Sequence, residues 1–444
     1  MMDTSVKSVA LHTLGCKLNY SETSTLAKQF ESRGFKIKNY GDKSDVFVLN
    51  TCSVTENADK ECRQIVRSIL RQNPDTYIIV TGCYAQLQPD EIASINGVDV
   101  VLGANEKFKL FDYIQNFEKN DVSCVFRSPE TEIKNINGAY SADIDSRTRA
   151  FLKIQDGCDY KCSFCTIPLA RGKSRSLPIN EVLDNAKKII DAGYKEIILT
   201  GVNTGDYNHQ LAMGNEQLTY KLIDVLYMLE KLDIQRIRIS SIEPNLLNDE
   251  IIDLVSSSKK FCNHFHIPLQ SGDKDVLKLM RRRYTNDYYE NLIYKLNDKI
   301  KDVGIGVDVI TGFPGETKTH FENTYNFLES LPISYLHVFT YSERRNTTAV
   351  TLPGRVEISE RRHRSEQLRT LSTEKRSAFY SKYIGTKQSV LFEAQKNDGT
   401  VEGYTTNYIR VKVDSENDIE NQISDVILES PNGALPVTAK IMQK

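Results

Sequence analysis

The sequence predicts an α/β protein in three parts: an N-terminal parallel α/β domain, a partial (β/α)6 barrel and a small C-terminal all-β barrel. Three observations predict it. Short apolar runs of buried-strand type alternate with helical patterns through the first two regions, as parallel sheets require. A polar, aperiodic stretch near 127–148 separates those two regions. Beyond Tyr383-Ile-Gly385 a long basic helical pattern stops and short period-two runs begin. The expected division is 5–126, 144–375 and 376–444.

In the first region Val9-Ala-Leu-His-Thr-Leu14, Asp45-Val-Phe-Val-Leu49 and Tyr77-Ile-Ile-Val80 read as buried strands. Between the first two, Asn19 is placed to cap a helix with Glu22 three residues on, and Leu26 and Phe30 share a face. The middle region holds six strand candidates: Phe151–Gln155, Glu196–Thr200, Arg236–Ser240, His264–Leu269, Gly306–Ile310 and Tyr335–Thr340. Helical patterns such as Ile179–Ala192, Gln217–Leu232 and Tyr288–Lys301 separate them. Six such units close most of a barrel, and a doubly wound open sheet is the alternative. In the tail, Ser389-Val-Leu-Phe-Glu393 and Tyr408-Ile-Arg-Val-Lys-Val413 alternate between turns such as Asn397-Asp-Gly399 and Pro431-Asn-Gly433. That pattern is a small barrel or sandwich.

At 444 residues, 40% hydrophobic and 26% charged, the chain is ordinary globular material. A net charge of −2 excludes a uniformly basic nucleic-acid binder, though not a local basic face. No apolar run approaches the ~18 residues that span a bilayer, and the start lacks the pattern of an export signal. A cytoplasmic protein with no membrane partner is expected. Nine cysteines then point to metal or reactive thiols rather than to a disulfide framework.

Cys158, Cys162 and Cys165 form C-x3-C-x2-C directly after a predicted strand and the turn Asp156-Gly157. Three thiolates so close in sequence can hold three irons of a four-iron cube, leaving the fourth open to an exogenous ligand. Zinc is the rival, but a tetrahedral site normally takes a second ligand pair that is missing here. Such a loop at the carboxyl end of the first barrel strand lies on the face where barrels carry their chemistry. Gly201-Val-Asn203, Ser240-Ser-Ile-Glu243, Gln270-Ser-Gly272 and Gly312-Phe-Pro-Gly-Glu316 end later strands on that face, as ligand contacts or as plain turns. Cys16, Cys52 and Cys83 each follow an N-terminal strand at spacings of 36 and 31, about one βαβ unit each. Parallel strands bring their carboxyl ends to one sheet edge, so these three should form a second site, or else be small buried apolar residues. Cys62, Cys124 and Cys262 fit neither set.

Thr13-Leu-Gly-Cys-Lys-Leu-Asn19, Asn50-Thr-Cys-Ser-Val-Thr55 and Thr81-Gly-Cys83 resemble the N-terminal domain of the radical S-adenosylmethionine (SAM) methylthiotransferases. Gln155-Asp-Gly-Cys-Asp-Tyr-Lys-Cys-Ser-Phe-Cys-Thr-Ile-Pro168 with Arg171-Gly172 resembles that family's radical core, and the tail resembles a TRAM domain, a small RNA-binding β-barrel. The resemblance implies two 4Fe-4S clusters and SAM. Cys158, Cys162 and Cys165 would hold the cluster that binds and reductively cleaves SAM, which needs a low-potential electron donor. Cys16, Cys52 and Cys83 would hold an auxiliary cluster presenting sulfur. Phe164 would pack near the adenine, and Asn203 and Glu243 would contact bound SAM. A methylthio group would then be added at an unactivated carbon.

Members of the family act on tRNA adenosine at position 37, on the 3′ side of the anticodon, or on a ribosomal protein aspartate. The first two cysteine motifs and Gly403-Tyr-Thr-Thr-Asn-Tyr-Ile409 look like the subfamily acting on N6-threonylcarbamoyladenosine; isopentenyladenosine tRNA is the other tRNA substrate. A non-catalytic iron–sulfur sensor is the remote alternative. The implied partner is the anticodon stem-loop of tRNA, met by a monomer. Electrostatics agree in part. Glu360 to Lys382 carries seven Lys or Arg against three Glu, a net +4 that would meet phosphate or simply face solvent. Arg281-Arg-Arg283 is a second basic cluster of the same kind, while the tail from Ile384 is acidic, six basic against nine acidic residues. Tyr404 and Tyr408 could stack on unpaired bases or belong to the core.

Overall fold

The computed structural model describes residues 7–53, 56–141, 148–213, 216–396, 398–415, 417–429 and 436–442. The chain start, Val54-Thr55, residues 143–146 of the first boundary and the turn Pro431-Asn-Gly433 lie outside them.

The first region is a six-stranded, all-parallel sheet in the order Lys36–Lys38, Ser8–Thr13, Val46–Thr51, Tyr77–Gly82, Val100–Leu102, Cys124–Phe126. Every residue of Val46–Thr51 and Tyr77–Gly82 is buried, which is why these strands read as unbroken apolar runs. Helix Lys17–Glu31 sets Leu26 and Phe30 against one face, and helix Glu56–Gln72 sets Ile65, Val66 and Ile69 against the other. The expected Asn19–Glu22 capping box does not form. Cys16 is the N-cap, and Asn19 and Glu22 are wholly buried within the helix. Asn19 Nδ2 instead donates to the carbonyls of Leu14 (3.0 Å) and Thr51 (2.9 Å), binding the ends of two neighbouring strands.

The middle region contains the six parallel strands in chain order. Arg149–Lys153, Glu196–Thr200 and Arg236–Ile239 form one sheet, and His264–His266, Gly304–Thr311 and Tyr335–Thr340 the other. A parallel bridge, Ser241 to His266, joins them. A doubly wound sheet would reverse its strand order partway; this one never does, and it curls as a partial barrel. One alternation of each strand, such as Leu152, Leu199 and Val307, enters the apolar core beneath the outer helices. The helix expected over 217–232 starts only at Leu222, because Glu216–Lys221 pairs with Asn208–Met213 as a hairpin. Asp224 accepts from the Lys221 N–H at 2.7 Å and closes the new helix start.

The tail is a closed five-stranded barrel, Lys387–Gln395, Thr400–Thr405, Arg410–Asp414, Val437–Ile441, Ile423–Leu428. Helix Ile358–Ser381 ties it to the middle region. It packs on the sixth barrel strand, while its last residues Phe379 and Tyr380 join the tail's core. Two expectations change here. Arg361 and Arg364 are buried, at 2% and 5% exposure, and do not form a phosphate-facing surface. Arg361 is bidentate on Glu343 (2.6 and 3.0 Å) and donates to the carbonyls of Val356 and Tyr341. Arg364 bonds Glu316 at 2.6 Å and Glu360 at 2.8 Å. The charge pattern concealed internal ion pairing, leaving Arg362, Arg369 and Lys382 exposed. Tyr404 and Tyr408 stack on each other (4.9 Å between centroids), and Tyr408 on His264 (4.5 Å), with the Arg149 guanidinium 4.2 Å from the Tyr404 ring. They seal the tail to the bottom of the middle barrel and are not presented for base stacking.

The first region meets the barrel through buried ions. Glu22 accepts from Lys107 at 2.5 Å, Lys153 at 2.9 Å and Arg171 at 3.1 Å, and Arg171 also reaches Asp156 at 3.0 Å and Asn19 Oδ1 at 2.5 Å. Burial alone would raise the Glu22 carboxyl, but Arg171, Lys107 and Lys153 hold it well below the usual carboxylate range.

Three outcomes follow from this packing. Replacing Glu22 with Gln leaves three buried cations short of an anion and should destabilise the fold by about 3–5 kcal/mol, read as a lower melting temperature. A melting temperature within error of wild type would refute the role. Because its folded-state pKa is depressed, Glu22 contributes full stability above its unfolded pKa, about 4. That contribution should fade as pH falls below this value toward the lower folded pKa, a drop in melting temperature that Glu22→Gln should lack. Arg361→Ala should cost about 1–3 kcal/mol through unpaired carbonyls, read as a lower melting temperature.

Candidate active site

Three neighbouring strands of the N-terminal sheet deliver Cys16, Cys52 and Cys83 to one edge. Cys16 caps helix Lys17–Glu31, Cys52 follows strand Val46–Thr51, and Cys83 opens the short helix Cys83–Leu87. Two glycines permit the close fit. A Cβ at Gly15 (φ +95°) would lie 2.5 Å from Cys52 Cβ, and one at Gly82 (φ +101°) 2.3 Å from the Thr51 carbonyl oxygen. Cys16 is exposed, Cys52 and Cys83 buried. The Cys16 thiol sits in a crevice whose desolvation pushes its pKa up, while the Arg171 guanidinium pulls it down and the Cys83 thiol pushes it up again. Arg171 in turn feels both Cys83 and Cys16.

The second trio stands on the loop after the barrel's first strand. Gly157 (φ +71°) makes the turn into Cys158, where a Cβ would be 2.0 Å from the Lys173 carbonyl oxygen. Donors surround the sulfurs: the Tyr160 N–H on Cys158 Sγ at 3.4 Å, the Ile167 N–H on Cys165 Sγ at 3.5 Å, and Arg282 Nη1 on Cys162 Sγ at 3.0 Å. Without a metal the thiols are driven toward the neutral form. Burial pushes Cys158 up to about 11 and Cys165 to about 12, and it raises Cys162 against the pull of Arg282.

The two loops abut. Helix Cys83–Leu87 packs on helix Ile167–Arg171, which begins two residues after Cys165. A cavity lined by Ser53, next to Cys52, and by Thr166, next to Cys165, opens beside this contact. The donor set suits iron–sulfur clusters better than zinc. Thiolates on tetrahedral zinc, with Zn–S near ~2.3 Å, stand about 3.8 Å apart. Among the described residues the group with three ligand atoms within 4.8 Å of one another is Asp273, Asp275 and His320, and neither cysteine trio is so close.

Of the remaining sequence candidates, Phe164 lines a cavity of about 200 Å³ with Cys165, Gln270, Asp308 and Phe339. Asn203 is 3% exposed, and both Oδ1 and Nδ2 are buried without a hydrogen-bond partner. Its N–H donates to Gln155 Oε1 at 2.8 Å, which holds the loop in place. A buried amide with nothing to bond is an unmet polar demand at this strand end. Glu243 is committed to an ion pair with Arg282, the same arginine that touches Cys162. Gly312-Phe-Pro-Gly-Glu316 is closed off as a ligand loop: a Cβ on Gly312 would lie 2.2 Å from Arg361 Cγ, and Glu316 Oε1 accepts from the Gly312 N–H.

Sequence reasoning missed two participants. Arg282 lay within a cluster read as solvent-facing or phosphate-facing, yet its side chain is 3% exposed. Arg171 lay inside the quoted motifs but was assigned no part. Cys62 and Cys262 are buried and Cys124 is exposed, and Cys62 belongs to the apolar cluster beneath Cys52.

Comparison with known proteins agrees with this geometry. Residues 152–328 match the family described as "Radical SAM superfamily", and residues 8–103 match "Uncharacterized protein family UPF0004". The chain is 39% identical over 431 residues, 94% of its own length and 93% of the relative's, to the threonylcarbamoyladenosine tRNA methylthiotransferase MtaB of Bacillus subtilis (strain 168). It is 36% identical to the MtaB of Aquifex aeolicus (strain VF5), covering 91% and 96% of the two chains. It is 31% identical to the tRNA-2-methylthio-N(6)-dimethylallyladenosine synthase of Fusobacterium nucleatum, covering 90% and 92%. Among solved structures, the radical SAM methyltransferase TsrM of Kitasatospora setae shares the fold, with a TM-score of 0.53 at 13% identity over 75% of this chain and 73% of that one. With two abutting cysteine trios, one on each of two matched regions, and full-length relatives well above 30% identity, the chain belongs to the radical SAM methylthiotransferase family.

Proposed function

We propose that this protein converts N6-threonylcarbamoyladenosine at position 37 of tRNA, 3′ of the anticodon, into its 2-methylthio derivative, using SAM and two 4Fe-4S clusters. The single observation that carries the reading is the contact of the two cysteine loops across helices Cys83–Leu87 and Ile167–Arg171. Two sulfur-rich sites facing one cavity suit a reaction in which one activates a carbon and the other delivers sulfur to it. When bound, these groups supply reducing electrons, a carbon-centred radical and a transferable methylthio unit that no protein side chain can provide.

The chain's own residues bind and orient. Cys158, Cys162 and Cys165 hold the SAM-binding cluster, and Cys16, Cys52 and Cys83 the auxiliary one. Arg282 neutralises the thiolate of Cys162 and is itself fixed by Glu243. The unpaired amide of Asn203 receives a polar group of SAM, and Phe164 covers one wall of the adjoining cavity. Residues 5–126 form the auxiliary-cluster domain, 144–375 the radical core and 376–444 a TRAM barrel that approaches the tRNA. A low-potential electron donor serves the first cluster, and the protein works as a cytoplasmic monomer. No helix among the described residues is long and apolar enough to cross a membrane.

Nucleoside mass spectrometry of tRNA from a deletion strain, with and without the gene restored, tests the reading. The 2-methylthio form of threonylcarbamoyladenosine should vanish and return, while loss of the isopentenyl counterpart, or of neither, overturns it. In the purified enzyme, Cys16→Ala should still form 5′-deoxyadenosine under reduction yet yield no methylthiolated tRNA. Cys158→Ala should lose both and bind about half the iron.

A further inference from the structure

Inside the partial barrel, the strand alternation that does not enter the apolar core faces inward. It brings Arg149, Glu196, Arg238, His264, His337 and Phe339 around one lumen, and His337 and Phe339 are exposed. This interior carries buried charges at its lower end and opens at His337 and Phe339, where most such barrels are filled by packed apolar layers. Helix Lys17–Glu31 lies against the first barrel strand, with Tyr20 edge-on to Phe151 at 5.5 Å. Its first residue, Lys17, extends into the lumen. The ammonium feels the Tyr408 hydroxyl at the chamber floor most strongly, then Arg149, Arg238 and Glu196, and it acts on His264 and His337 of the opposite wall.

The charges around it are already committed. Glu196 is held by Arg238 at 2.8 Å with Arg236 at 3.9 Å, Arg149 pairs with Glu393 at 2.7 Å, and Asp308 with His266 at 2.7 Å. Among the described residues no hydrogen bond or ion pair engages Lys17, which is nonetheless solvent-accessible. An accessible lysine facing two arginines, with no carboxylate left to pair it, is arranged for an anion that comes from outside.

We propose that Lys17 is a specificity-determining residue that receives the carboxylate of the threonyl group on the substrate adenosine. The inference rests on the function proposed above and names the group that selects this substrate. Chemistry favours the placement. In adenine, C2 and C6 flank N1 on one edge, so an N6 substituent projects from the same side as the carbon to be modified. A cation one residue from Cys16 can therefore engage the substituent while C2 faces the sulfur-bearing cluster. A neutral alkyl substituent would leave Lys17 unpaired and pay its desolvation with no return.

The test measures binding of unreduced holoenzyme to three anticodon stem-loop RNAs. One carries threonylcarbamoyladenosine, one the same base with the carboxylate converted to its neutral amide, and one plain adenosine. Wild type should prefer the acid over the amide by about 10- to 100-fold, the worth of a charge-assisted contact. Lys17→Gln should bring that ratio close to one at unchanged iron content, and Lys17→Arg should retain most of it. Persistence of the ratio in Lys17→Gln overturns the inference while leaving the proposed function intact. Should Lys17→Gln lose its iron, Lys17→Met gives the same comparison, and a wild-type ratio near one overturns the inference without any variant. If wild type also fails to methylthiolate tRNA carrying threonylcarbamoyladenosine, the proposed function itself falls.

Discussion

The buried carboxylate of Glu22 is the constraint on which the rest of this structure depends. Three cations from separate segments converge on it: Lys107 from the N-terminal sheet region, Lys153 from the first barrel strand and Arg171 from the helix after the C-x3-C-x2-C loop. Glu22 lies on the helix that Cys16 caps, and Arg171 also grips Asp156, two residues before Cys158. One ion cluster thus sets the position of both cysteine loops. Buried charges are costly to assemble and add little net stability when complete, but removing one member exposes the whole cost. Such a joint fixes geometry more tightly than apolar packing does, because three fork-and-point contacts admit one arrangement. A reaction in which one metal site activates a carbon and the other delivers sulfur to it needs that fixed separation.

Around this joint the barrel is built to stay open. Its outer alternation makes an ordinary apolar core with the surrounding helices, and its inner one carries arginine, glutamate and histidine. Six strands leave a gap, which the Cys16-capped helix partly covers. The lower end is shut by the tail loop. Arg236 donates to the carbonyl of Tyr404 at 3.0 Å and Arg238 to those of Thr406 and Thr405, while a Cβ on Gly304 would lie 2.2 Å from the Asn407 carbonyl oxygen. Only the upper end, ringed by cysteine loops, Asn203 and Gln270, remains for ligands.

Much of this was legible in the sequence because it is written in local periodicity. Buried parallel strands announce themselves as short apolar runs, and cysteines one to three residues past their ends inherit the strand order, so Cys16, Cys52 and Cys83 could be placed together with no contact information. The failures share another cause. Charge patterns do not say which side of a helix turns inward, so Arg361 and Arg364 read as surface although each meets a glutamate distant in sequence. Arg282 was hidden in a basic triplet for the same reason. Asn19 and Glu22 matched a capping signature, yet tertiary bonds to Leu14, Thr51 and Arg171 outcompeted the local one. The hairpin at 208–221 was lost because Gln217–Lys221 also suits a helix, and only its cross-strand partners decide.

Tyr408, with φ at +73°, sits at the tip of the tail loop, stacked on His264 and lying beneath Arg238. The C-terminal barrel is therefore the cork of the chamber, closing the middle barrel from below. A truncated chain ending after helix Ile358–Ser381 would open the chamber from below, letting water and oxygen reach it by a second route. The tail barrel and the floor of the chamber are one piece of protein, so neither can be altered without the other.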